Sequence, residues 1–370
     1  MERATVIYDT VLSIFDYQKA NDCVTPMEVV RKQFQHVEKT GKIIIPGAGI
    51  GSYVLGALEH GFAPEDITAV ELSPHYFALG EAIFTRFGVN YVQADFLEWN
   101  PPAPVDVVIG NPPFSEGGKT LWRRFLKKAF QLLTPAGQFS FVAPAKAAVF
   151  GSQGYNFFKK INLEAVEYGA DSWFGKGEPV ALFSGSVGEV TTDDYCVIAG
   201  NDTVTVKRGS VLPVQYMLPT RKLPTLSARL TLSILTKFFQ SKTSLLKERY
   251  QFLSEPPTVP YVYLALVPWG SPYAYLAKVG EHDNYLNGYF MTFDTLEQAH
   301  NMQWLLSGSL VYRFVVASIT RSGWLSPVLR YNALDWFGVT TDEELFDRLE
   351  LTPEEVSYLK QWGLSLIQSH

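Results

Sequence analysis

A chain of 370 residues is too long for one ordinary domain and suits two. With 47% hydrophobic and 18% charged residues it builds packed cores, which excludes a disordered tail, and no apolar run approaches the ~18–20 residues of a membrane span. The net charge of −6 is unevenly spread: residues 201–334 hold 13 Lys/Arg against 7 Asp/Glu, between two acidic stretches, and such a basic segment attracts phosphate.

The two cysteines, Cys23 and Cys196, form no metal-ligand spacing, and Met1-Glu2-Arg3-Ala4 begins no secretory signal. A reduced, cytoplasmic protein without zinc or a disulfide is expected. Nothing in the chain indicates its oligomeric state.

In chain order, Thr25-Pro26-Met27-Glu28 reads as a capping box with proline at the first helical position, so a helix is expected there. From there to about residue 200, β-branched runs alternate with helical stretches. Ile43-Ile44-Ile45, Ile67–Val70, Val105–Ile109 and Phe139–Val142 predict buried strands; Tyr53–Glu59 and Leu121–Leu133 predict helices. This rhythm predicts an α/β, Rossmann-like doubly wound parallel sheet. After residue 200 aromatics and prolines increase and the alternation stops. Two domains are therefore expected, 1–200 and 201–370, the second α+β with a helical end piece capped at Thr341 and Thr352.

The chemistry-bearing residues follow the strands. Pro46-Gly47-Ala48-Gly49-Ile50-Gly51 lets the backbone turn into a helix N-terminus and pass close to a ligand. Glu71 ends the next predicted strand, where a carboxylate can accept both hydroxyls of a ribose. Together they indicate an adenosine-containing cofactor without separating NAD from S-adenosylmethionine. Asp95, at the end of a third strand, could accept an adenine amine. Asn111-Pro112-Pro113-Phe114 is the most specific signal. Its prolines remove backbone donors, leaving the Asn111 amide oxygen and the Pro112 carbonyl as paired acceptors for an exocyclic amine. Phe114 offers a π-face to a planar base.

Over residues 20–185 the chain resembles the DNA adenine-N6 methyltransferases of restriction–modification systems, in the variant whose cofactor motifs precede the catalytic one. Asn111-Pro112-Pro113-Phe114 matches that family's catalytic tetrapeptide letter for letter. The resemblance implies S-adenosylmethionine as cofactor. It places Thr25-Pro26 at the cofactor methionine, Pro46, Gly47, Gly49 and Gly51 in the glycine loop, Glu71 at the ribose and Asp95 at the adenine. Trp173-Phe174-Gly175, followed by Pro179–Phe183, resembles the later hairpin that supplies a second aromatic, Phe174 or Trp173, against the flipped base. The chain departs from the family at Ile45, where Asp or Glu is usual, so the cofactor's ammonium is expected to lose a carboxylate partner.

The expected activity is methyl transfer to N6 of an adenine extruded from double-stranded DNA, with no metal and no membrane partner. No nuclease motif precedes Thr25, so a modification-only enzyme is expected. Residues 201–334 would form the target-recognition region, with Lys207, Arg208, Arg321 and Trp324 as candidate contacts. Three alternatives share these motifs: an adenine-N6 methyltransferase for RNA, an N5-glutamine methyltransferase for protein, and a nucleic-acid-binding protein with a degenerate site.

Overall fold

A computed structural model describes residues 5–6, 8–9, 13, 24–116, 119–148, 158, 161–168, 174, 180–190, 194–199, 202–207, 228–238, 250–253, 257–264, 277–279, 288–319 and 338–368. The chain forms two compact units, Met1–Gly209 and Ser210–His370.

In chain order the first unit begins with α1 (Met27–Phe34), β1 (Ile43–Pro46), α2 (Ser52–His60), β2 (Ile67–Glu71), α3 (Pro74–Phe84), β3 (Asn90–Gln93) and β4 (Val105–Gly110). A two-stranded hairpin, β5 (Ser115–Glu116) and β6 (Lys119–Thr120), leads into α4 (Trp122–Leu132) and β7 (Leu133–Pro144). Then come β8 (Asn162–Tyr168), β9 (Val180–Ser186), β10 (Asp194–Ala199) and β11 (Asp202–Lys207).

Nine of these strands make one sheet in the order β11-β10-β8-β9-β7-β4-β1-β2-β3. The half from β3 to β7 is parallel, the doubly wound α/β arrangement expected from the sequence. β9 runs antiparallel between β7 and β8. That insertion departs from the all-parallel order of dinucleotide-binding sheets. The predicted strand Phe139–Val142 is the middle of the longer β7, whose pairing with β4 shifts register between Val105 and Val107.

Strand residues are buried on both faces, as a sheet covered by helices requires. Ile43, Ile45, Ile67, Ala69, Val107 and Ile109 pack with residues of α1, α2 and α3. Alternation sends Phe139 and Phe141 the other way, where Phe130 of α4 lies 4.7 Å from Phe139 between ring centroids. Ile45 is fully buried in the first cluster. It is a core residue, and an ionised carboxylate there would be costly.

Polar residues pin α1 to the sheet. Gln33, fully buried, donates to Ser140 of β7 and accepts from the Tyr53 hydroxyl. Lys32 and His36 flank Glu167 of β8 at 2.5 and 3.4 Å. Burial alone would raise the Glu167 carboxyl, but hydrogen bonds from His36 and Lys32, with the lysine charge, outweigh it and hold it below the usual range.

The second unit contains α5 (Ala228–Phe238), then β12 (Tyr250–Leu253), β13 (Tyr261–Leu264), β14 (Ala277–Val279) and β15 (Gly288–Thr292), joined antiparallel in the order β12-β15-β13-β14. Helices α6 (Leu296–Ser307), α7 (Leu310–Ile319), α8 (Asp342–Arg348) and α9 (Pro353–Gln368) complete it, an α+β unit. The expected caps form: Thr341 accepts from the Glu344 amide at 3.2 Å, and Thr352 from the Glu355 amide at 3.3 Å. Glu355 closes its box by accepting from the Thr352 amide at 2.6 Å.

Candidate active site

The strand order reverses between β1 and β4, and ligands of open α/β sheets bind outside the strand C-termini at such a switch point. Pro46 closes β1 and residues 47–51 follow it, Glu71 closes β2, Asp95 follows β3, and Asn111 follows β4. Sequence positions spread over 65 residues thus share one edge of the sheet.

Gly47 and Gly49 have φ of +61° and +58°, a backbone that L side chains rarely adopt, and a Cβ at either would meet nothing within 4 Å. The loop therefore borders open space. Gly51, by contrast, is dictated by packing, because a Cβ there would lie 2.2 Å from the Phe84 ring. The Gly49 amide donates to Glu71 Oε2 at 2.8 Å, and the Ser73 amide donates to Oε1 at 2.8 Å. Glu71 is buried, so each carboxylate oxygen is oriented by the backbone while keeping a second lone pair for a ligand.

Asp95 is exposed, and its Oδ1 accepts from the Leu97 amide at 2.9 Å, fixing the turn that follows β3. Two contributors escaped the sequence reading. Tyr91 donates its hydroxyl to the Gly49 carbonyl at 2.8 Å, so both polar groups of Gly49 are held. Leu72, beside Glu71, leaves 62% of itself exposed, an apolar residue just past the end of β2. Nothing in the sequence separates Tyr91 from any other strand tyrosine.

Thr25 does not form the predicted capping box. The N-cap of α1 is Pro26, with no side-chain cap. The Thr25 hydroxyl, buried, accepts instead from Asn111 Nδ2 at 3.1 Å. That bond takes up Nδ2 and leaves Oδ1 as the acceptor of the Asn111 amide. Among the described residues neither Asn111 Oδ1 nor the Pro112 carbonyl has a donor. Pro112 is buried and Pro113 exposed.

Phe114 and Phe174 are half-buried against one apolar cluster of Val29, Val142, Val180 and Leu182. The two candidate stacking rings therefore come to the same place from positions 60 residues apart. Trp173 lies outside the described residues. So do Arg208, Arg321, Trp324 and the side chain of Lys207, whose backbone ends β11 on the edge of the first unit's sheet. Among the described residues no group of His, Cys, Asp and Glu could hold a metal ion, and no helix is long and apolar enough to cross a membrane.

Residues 27–158, which carry β1 to β7, match the methyltransferase small domain family, and the sheet has the Rossmann-like methyltransferase fold. Among solved structures, the chain is similar to a Listeria monocytogenes protein described as a class I S-adenosylmethionine-dependent methyltransferase, at 16% identity and TM-score 0.44, over 53% of this chain and 73% of that one. It is also similar to a type I restriction-modification methyltransferase subunit from Streptococcus thermophilus, at 19% identity and TM-score 0.40, over 48% of this chain and 47% of the other. A modification subunit described for a type I restriction enzyme of Vibrio vulnificus gives 19% identity and TM-score 0.39, over 56% and 51%. The chain spans about half the length of these two restriction–modification subunits.

Proposed function

We propose that this methyltransferase transfers a methyl group from S-adenosylmethionine to N6 of an adenine extruded from duplex DNA. The observation that carries the reading is the Asn111 amide, held through Nδ2 by the Thr25 hydroxyl, which leaves Oδ1 as an acceptor next in sequence to the Pro112 carbonyl. Two acceptors side by side suit an amine that has two N–H groups to give. An amine so held keeps its lone pair out of conjugation with the ring and available to attack.

The cofactor region fits S-adenosylmethionine. The glycine loop borders open space, and a buried, backbone-oriented carboxylate at Glu71 suits the two hydroxyls of a ribose. Leu72 and Asp95 would meet the adenine by its face and its amine. When bound, the cofactor supplies a methyl group on a sulfonium, an electrophile that needs no enzyme nucleophile. Asn111 and Pro112 hold the target nitrogen, Phe114 stacks on the base, and Phe174 or Trp173 covers its other face. Most of the rate enhancement then comes from positioning. Residues 201–334, with their excess of Lys/Arg, would read the target sequence.

The test is incubation of the full chain with labelled S-adenosylmethionine and, separately, duplex DNA, RNA and protein, followed by identification of the methylated residue. N6-methyladenine in duplex DNA is expected. Label confined to RNA, or to glutamine in protein, overturns the substrate assignment. No label anywhere with tight cofactor binding overturns catalysis itself.

A further inference from the structure

Helix α4 reads Trp122-Arg123-Arg124-Phe125-Leu126-Lys127-Lys128-Ala129-Phe130-Gln131-Leu132. Trp122, Phe125, Leu126, Ala129 and Leu132 are buried. The apolar face is anchored by ring contacts, Phe125 with Phe96 at 5.3 Å and Phe130 with Phe139 at 4.7 Å between centroids. Helical periodicity therefore puts Arg123, Arg124, Lys127 and Lys128 on one opposite face with no acidic residue among them. Arg124 and Lys127 are exposed, and among the described residues neither has an ion-pair partner. Lys128 donates to the neutral Asn100 side chain, at 2.7 Å.

These four are a quarter of the 16 Lys/Arg in residues 1–200, a stretch that carries 22 Asp/Glu. Their grouping stands out against that acidic background. Their place matters more. The Leu121 amide donates to the Phe114 carbonyl at 2.9 Å, closing the β5–β6 hairpin, so α4 starts directly beside the Asn-Pro-Pro-Phe segment.

We infer that the basic face of α4 seats the phosphodiester backbone of the nucleic acid whose base enters the site at Asn111–Phe114. This rests on the nucleic-acid reading of that site. Cations one helical turn apart, ~6 Å, on a helix rigidly packed by its other face, suit a run of backbone phosphates. Their contacts would carry affinity and no sequence information. The catalytic unit would then hold its substrate by itself, whatever residues 201–334 contribute to recognition.

The test uses R124Q/K127Q in the full chain, both exposed positions. The control is K39Q/K42Q, an equal charge change at two exposed lysines just before β1, at the opposite end of the strands from the site. Anisotropy measures affinity for a DNA duplex across a salt series. For R124Q/K127Q, about tenfold weaker binding near 0.15 M salt is expected, with a salt slope shallower by ~1.8, about 0.9 for each lost phosphate contact. S-adenosylmethionine affinity and kcat at saturating duplex should stay within about twofold. The control should bind as wild type does. A wild-type slope in R124Q/K127Q, or an equal loss in the control, overturns the inference and leaves the proposed function standing. A wild-type protein that binds no nucleic acid at low salt overturns both.

Discussion

Asn111 Nδ2 donates to the hydroxyl of Thr25 across 3.1 Å, tying the strand end after β4 to the residue ahead of α1, 86 positions earlier. The bond selects one of the two amide orientations of Asn111. The other would aim a donor at an amine and repel it. Because α1 is pinned through Gln33, Lys32 and His36, Thr25 would act in the proposed reaction as a positioning residue on a rigid support. Thr25→Val should lower kcat about tenfold, close to 1.4 kcal/mol, as expected for the loss of one hydrogen bond. Cofactor affinity by calorimetry should hold, and Thr25→Ser should restore the rate. A weakened cofactor with unchanged kcat would place Thr25 at the methionine end of the ligand instead.

Asn111→Ala should abolish transfer while leaving cofactor binding nearly intact, because Asn111 follows β4 whereas Glu71, proposed to bind the cofactor ribose, ends β2. Single-turnover rates measure the effect. A variant that keeps more than roughly a tenth of the wild-type rate, a loss under about 1.4 kcal/mol, would remove Asn111 from the role assigned to it.

Beside the ribose contact proposed for it, Glu71 has a structural job, since its oxygens accept from the Gly49 and Ser73 amides. Glu71→Ala should cost about 1.5–3 kcal/mol of cofactor affinity, the range for bonds to a charged group. It should also lower the melting temperature of the ligand-free protein, as two backbone amides lose their acceptor. Tyr91→Phe frees the Gly49 carbonyl and leaves the Glu71 carboxylate in place, and should weaken the cofactor less. Equal cofactor dissociation constants for wild type and Glu71→Ala would exclude the ribose contact.

The lowered Glu167 pKa makes the anchoring of α1 pH-dependent. A carboxyl depressed on folding adds stability above its unfolded pKa, near 4.3 for Glu. That stability is lost as the pH falls through the lower folded value. Glu167→Gln should therefore destabilise the first unit by about 1–3 kcal/mol at pH 7. The difference should shrink steadily below about pH 4. Denaturant titrations of both proteins at several pH values check this, and a pH-independent difference would contradict it.

Exchange of residues 201–334 for the equivalent part of a relative should move site preference without moving chemistry. Reversal of Lys207 and Arg208 should weaken binding to all duplexes alike and flatten its salt dependence. Methylation-site sequencing distinguishes the two effects. Unchanged preference after the exchange would assign recognition to the catalytic unit.

The placement of the candidate site's parts at the ends of neighbouring strands was legible in the sequence because those parts are local. A strand followed by glycines, an acidic residue at a strand end and Asn-Pro-Pro-Phe are each short enough for chain order to specify their geometry. The doubly wound sheet followed from the alternation of β-branched and helical runs for the same reason. Other features depended on residues far apart in the chain. Thr25 carries the local signature of a helix cap, as Thr341 and Thr352 do, and those two do cap their helices. Only the return of β4 alongside β1 brings Asn111 within reach and gives the Thr25 hydroxyl a tertiary partner in place of a local one. The insertion of β9 between β7 and β8, the packing of Phe114 and Phe174 on one apolar cluster, and the hold of Tyr91 on Gly49 are likewise matters of packing. Ile45 shows the same limit from the other side. Its position in the motif points to the ligand, but the period-2 alternation of β1 turns its side chain into the core.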